Sequence, residues 1–134
     1  MKKIFLLLVL VLFLAGCATL PEIRAKNREG LLKLSLGMTK EQVLNLMGTK
    51  TIKVYDNWGN LVEVINNPYK TETLKGKDKT FEVWYYYTEI KKADGAISDD
   101  ELTPIIFDEG KLIGWGWSFF EDTAKKYELT IKER

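Results

Sequence analysis

The side chains that most often perform chemistry are scarce in this chain. Its 134 residues include no histidine, which excludes an imidazole-based triad, a Cys-His pair and a His-based zinc site. A single cysteine, Cys17, rules out an intrachain disulfide and leaves one thiol to explain. The serines are Ser35, Ser98 and Ser118, and none stands in a Gly-x-Ser-x-Gly nucleophile elbow. Acids are plentiful in the second half, and two carboxylates about 5–9 Å apart would suffice for glycoside hydrolysis. No spacing selects a pair among Asp94, Asp99, Asp100, Asp108, Glu109, Glu121 and Asp122. Residues 94–101 (DGAISDDE) copy the closing half of an EF-hand loop. Its opening ligand positions would be Ile90 and Lys92, which supply no carboxylate and one positive charge, so a solvated acidic turn is the simpler account. The expectation is a non-catalytic protein with no cofactor and no metal.

Cys17 fits another chemistry. Met1-Lys2-Lys3, an unbroken apolar run over residues 4–15 and Gly16 have the layout of a secretory signal. As a helix the run would rise only ~18 Å, short of the ~30 Å hydrocarbon core. Leu14-Ala15-Gly16-Cys17 resembles a bacterial lipobox. That resemblance implies a diacylated thiol, cleavage before Cys17 and often an acylated new amino group. At ~0.8 kcal/mol for each buried methylene, such chains hold a domain firmly at a bilayer. Ala18 follows where an aspartate would mark inner-membrane retention in Gram-negative lipoproteins. In a Gram-negative source this implies an outer-membrane anchor with the domain facing the periplasm. The expected division is a signal over residues 1–16, a lipidated tether over 17–22 and one domain over 23–134. Lys+Arg 20 against Asp+Glu 19, well interleaved, gives no basic surface for nucleic acid.

Aromatic residues are the surplus type, at 12% of the chain. In residues 80–88 (TFEVWYYYT) large side chains fall on both faces of a strand, Trp84 and Tyr86 on one of them. In the last predicted hairpin Ile113, Trp115 and Trp117 share a face, while Gly114 and Gly116 opposite them permit a close approach, for instance by a helix. If the helices cover one sheet face only, Trp84, Tyr86, Trp115 and Trp117 are the candidate contacts for an envelope protein partner. The same rings could stack on cell-wall glycans, or complete the core beneath the loops and the tail.

The elements that must position these residues are legible to different degrees. Thr39-Lys40-Glu41-Gln42 is a capping box with Met38 and Val43 at the staple positions, and Gly48 suits a C-cap, so a helix is predicted over residues 40–47. A weaker helix is predicted over 23–34, interrupted at Gly30. Residues 51–56 and 61–65 read as a hairpin around Asp56-Asn57-Trp58-Gly59-Asn60, and 66–79 as a solvated loop. Strands are predicted over 80–88, 102–107, where Pro104 implies an edge or an irregularity, and 111–117, the last two joined by a three-residue turn. The tail, 119–134, has the pattern of a short helix and a terminal strand. Helices first and strands afterwards indicate α+β with an antiparallel sheet.

Residues 36–43 (LGMTKEQV) and 46–49 (LMGT), behind a lipobox and ahead of antiparallel strands, resemble the SmpA/OmlA (BamE-like) lipoprotein family. The resemblance implies a two-layer fold, two short N-terminal helices on one face of a small antiparallel sheet. It also implies a binding or scaffolding subunit concerned with outer-membrane protein assembly. Lys50 stands where that family usually has proline, and residues 57–79 are an insertion relative to a minimal member. A cell-envelope ligand binder for peptidoglycan or a small molecule is the alternative for the same fold.

Overall fold

The computed structural model describes residues 19–131. The signal segment, Cys17 and Ala18 lie outside the described residues, as do residues 132–134.

Aromatic and β-branched with no breaker, TFEVWYYY forms β4 (Thr80–Tyr87) and takes an interior position with most of its side chains buried. β4 pairs antiparallel with β3 (Lys70–Lys75) and β5 (Leu102–Asp108), and β5 with β6 (Lys111–Trp115), giving a β3-β4-β5-β6 meander. β1 (Ile52–Tyr55) and β2 (Leu61–Ile65) form a separate two-stranded hairpin. Where a loop is predicted over residues 66–79, β3 supplies the sheet edge. Its inward positions are Lys70, Glu72 and Leu74, so only one of them carries a hydrophobic signal. Pro104 lies in interior strand β5, but at the end of its ladder with β6: its carbonyl accepts from Gly116 N at 2.8 Å, just past the last residue of β6. The absent N–H therefore breaks no internal ladder bond. The β5–β6 turn is two residues rather than three, Glu109 and Gly110, with φ of 48° and 76° as a type I′ turn requires.

The helix signals are local and mostly sufficient. In α2 (Lys40–Met47) Thr39 Oγ1 accepts from Gln42 N at 3.2 Å and Gln42 Oε1 accepts from Thr39 N at 2.9 Å. α1 (Leu20–Leu31) begins before the expected residue 23, with Pro21 in its first turn. Gly30 does not interrupt α1; it is where α2 packs, since a Cβ there would lie 2.7 Å from Met47 Sδ. α3 (Trp117–Lys126) begins directly after β6. Among the described residues the tail beyond it forms no strand, but Tyr127 O accepts from Lys77 N at 3.0 Å and Thr130 N donates to Lys75 O at 2.9 Å.

The fold is α+β on an antiparallel sheet. On one face Leu34, Val43 and Met47 pack against Trp84, Tyr86, Ile105, Phe107 and Leu112, while α1 packs on α2 and at β4. The expected two layers are in fact three, because α3 lays Phe120 on the other face against Phe81, Val83, Tyr85, Tyr87 and Ile106. A bulge in the β5–β6 ladder sends Ile113 to the α3 side and keeps Leu112 and Trp115 on the α2 side, so Ile113, Trp115 and Trp117 do not share a face. Gly114 does serve a close approach, by Phe119 of α3, whose ring would lie 2.4 Å from a Cβ there.

Candidate functional site

The four aromatics expected to form a docking face are not gathered on a surface. Trp84 is 7% exposed and Tyr86 fully buried, both beneath α2. Trp115 is half-buried against the same cluster, and Trp117 is half-buried on the opposite face, 5.4 Å from the Phe120 ring. The indole donors are used internally. Trp84 Nε1 donates to Glu82 Oε1 at 2.6 Å, Glu82 Oε2 accepts from Lys40 Nζ at 2.8 Å, and Trp117 Nε1 donates to the Leu102 carbonyl at 2.7 Å. Burial alone would raise the Glu82 carboxyl, but these two donors outweigh it and hold it below its ordinary value. Tyr86 OH is buried with no hydrogen-bond partner among the described residues, and desolvation pushes its ionisation well up. The expected open aromatic face is thus corrected: α2 covers Trp84 and Tyr86, with Trp115 half-buried beside them, and α3 closes the other face around Trp117.

Exposed apolar surface gathers instead on the β1–β2 hairpin. Trp58 is 89% exposed, Val62 65% and Tyr55 55%, with Leu61 and Val64 also exposed. The turn that presents Trp58 is closed by its own residues. Asp56 Oδ1 accepts from Trp58 N at 2.9 Å and Asn60 N at 2.8 Å, and Asp56 Oδ2 accepts from Asn60 Nδ2 at 2.9 Å. Asp56 N donates to Asn60 O, Gly59 N donates to Asp56 O, and Gly59 takes φ 82°. These bonds, led by the Asn60 side chain, hold the Asp56 carboxyl below its ordinary value. The base of the hairpin is apolar and covered, with Ile52 and Ile65 packed on Ile23 of α1.

A buried amide pair fixes the hairpin to the body. Asn27 Nδ2 donates to Asn67 Oδ1 and Asn67 Nδ2 to Asn27 Oδ1, each at 2.9 Å. The second hydrogens reach outward: Asn27 Nδ2 also donates to Tyr87 O at 2.8 Å, and Asn67 Nδ2 to Met47 O at 3.1 Å and Gly48 O at 3.2 Å. One network therefore joins α1, the end of α2, the segment after β2 and the end of β4. Neither asparagine stands out in the sequence, because the partners lie 40 residues apart and share no local motif.

In the acidic loop Glu101 is buried and turned inward. Its Oε1 accepts from Lys91 N at 2.7 Å and Lys92 N at 3.2 Å, and its Oε2 from Ser98 N at 3.1 Å. These amides, Lys91 first, hold the carboxyl below its ordinary value against the effect of burial. Among the described residues no three or more Asp, Glu, His or Cys side chains gather as a metal site would require. Glu101 is a loop clamp.

Two family models match the chain. One, described as a protein of unknown function (DUF3192), covers residues 19–122, from the start of α1 into α3. The chain belongs to the DUF3192 family. The other, the prokaryotic membrane lipoprotein lipid attachment site, covers residues 1–18. This DUF3192 protein is accordingly a lipid-anchored bacterial envelope lipoprotein. No curated protein and no solved structure matches it. The family shown is DUF3192; the likeness to SmpA/OmlA lipoproteins is that of residues 36–49 and of the order of elements around them.

The two matches are contiguous, so this DUF3192 domain begins almost at its anchor. Thr19 N donates to Glu22 Oε2 at 2.8 Å, already part of the α1 start. The residues between Cys17 and Thr19 span at most ~7 Å when extended. Of the tether expected over residues 17–22, Thr19 is the N-cap of α1 and residues 20–22 form its first turn. Among the described residues no helix is long and apolar enough to cross a membrane.

Proposed function

We propose that the protein is a non-catalytic binding or scaffolding subunit that works at the membrane surface to which it is anchored. The observation that carries this reading is the short connection between Cys17 and α1. A domain so tethered samples only a thin layer above the bilayer, which raises its effective concentration for membrane-bound partners and denies it distant ones. The likeness of residues 36–49 to SmpA/OmlA lipoproteins, together with Ala18, supports an outer-membrane, periplasm-facing site and a part in outer-membrane protein assembly.

Photo-crosslinking in intact cells tests the reading. A photoreactive residue at Leu36 or Ile90, both exposed and neither part of the hairpin, is expected to give a recurring adduct with an envelope membrane protein. The adduct should weaken when Cys17→Ser releases the domain. Adducts absent at both positions, with the protein instead retained by sedimented cell wall, would overturn the scaffolding role in favour of a peptidoglycan binder.

A further inference from the structure

The β1–β2 hairpin has an exposed apolar end, and the lipid anchor says what lies beside it. Passing along α1 toward its N-terminus, Gly30 meets Met47, Asn27 meets Asn67, which binds the Met47 and Gly48 carbonyls, and Ile23 meets Ile52 and Ile65. β1 therefore leaves α2 and runs toward the N-terminal end of α1, the end that carries the lipid. Leu20 of α1 and Val54 of β1 both pack against this cluster. From Ile23 the helix rises ~4.5 Å to Leu20, and the residues back to Cys17 add at most ~10 Å. From Ile52 the strand advances ~10 Å to Tyr55 before the turn begins. Anchor and hairpin tip thus have comparable reach from the shared cluster at Ile23, Ile52 and Ile65. We propose that the hairpin tip, Tyr55, Trp58, Leu61 and Val62, is a second membrane contact that rests in the interfacial layer of the bilayer beside the lipidated Cys17.

Three properties of the tip suit that occupant. Trp and Tyr have an apolar body and a polar edge, which favours the boundary between lipid and water. Four of the five main-chain N–H groups of residues 56–60 are bonded within the turn, so entering a poorly hydrated layer strands few donors, and the carbonyls at the tip suit the hydrated headgroup level. Asp56, Asn57 and Asn60 limit the depth to the headgroup level, because a carboxylate is costly in hydrocarbon. Acyl chains at Cys17 already supply affinity. The hairpin's contribution is orientation, since two contacts fix which side of the domain faces the membrane and leave α2 and α3 for partners.

This inference rests on the anchoring and not on the scaffolding role. The test uses the full acylated protein, its N-terminus verified by mass spectrometry, in vesicles of phosphatidylethanolamine and phosphatidylglycerol containing acyl-brominated lipid. Subtracting the emission of Trp58→Phe isolates Trp58 from the core tryptophans Trp84, Trp115 and Trp117. In vesicles Trp58 emission is expected to shift to the blue, to be quenched by the brominated chains and to lose acrylamide access several-fold. Trp58 left open to acrylamide and unquenched by bromolipid overturns the proposal. So does shielding that arises only when solubilised envelope proteins are added, without bromolipid quenching, which would make the occupant a protein. Crosslinking at Leu36 and Ile90 is read separately, so either reading can fail alone.

Discussion

Trp84 and Trp58 are the same side chain in opposite settings. Trp84 is 7% exposed, its ring tilted against that of Phe107 at 4.7 Å between centroids and its indole bonded to Glu82; Trp58 is 89% exposed at the end of a two-stranded hairpin. The main sheet hides its aromatic residues between helices on both faces, while the hairpin displays its own. Aromatic content alone therefore says little about contact surfaces. What decides is whether a further element is available to cover the ring: α2 covers Trp84 and α3 the opposite face, whereas nothing among the described residues covers the hairpin's outer end.

The contrast can be broken by substitution, and the largest effect belongs to the sheet. Trp84→Ala should cost ~3–5 kcal/mol through the lost ring and the cavity left behind, measured by urea unfolding. Asn67→Ala comes next, at roughly 2–3 kcal/mol, because it leaves Asn27 Oδ1 and the Met47 and Gly48 carbonyls without a donor. In a double-mutant cycle with Asn27→Ala the two losses should fall short of additive; strict additivity would show that the pair does not act as a unit.

Acid should loosen the loop before β5. Glu101 has a folded-state pKa below the ordinary 4.5. Its contribution is therefore complete above about pH 4.5 and is lost as pH falls through the lowered value. Glu101→Gln should remove ~1–3 kcal/mol at neutral pH and flatten the acid limb of the stability profile; an unchanged limb would assign acid sensitivity to other carboxylates. Tyr86→Phe runs the opposite way. Removing a buried hydroxyl without a partner should leave stability unchanged or raise it by about 1 kcal/mol. Smallest of all, Trp58→Ala should move stability by no more than ~0.5 kcal/mol. A larger loss would mean that Trp58 packs on the body, and the contrast with Trp84 would disappear.

How much of this could be read in the chain depends on how far each signal extends. The α2 cap is contained in residues 39–42, and β4 announces itself in one uninterrupted aromatic run. β3 is hidden because an edge strand with Lys70 and Glu72 at its inward positions imitates a solvated loop. The start of α3 is hidden because Trp115-Gly116-Trp117 alternates as a strand would, and only the positive φ of Gly116 turns the chain. The short helix legible in the tail carries no sign that it folds back over the second sheet face, and candidate contacts chosen on a sheet open on one side follow from that. The Asn27–Asn67 pair has no local trace at all. Trp58 was legible as part of a turn, but its exposure depends on what stands around the hairpin.

The separation of the two sheets has one more consequence, for the way the molecule opens. The four-stranded sheet is held from both sides, whereas the hairpin is attached through Ile52, Ile65 and the network at Asn67. Local opening of residues 52–65 need not await global unfolding. The domain thus has two clocks, a slow one in the sheet and a faster one in the hairpin, and Asn67 is where they are geared together.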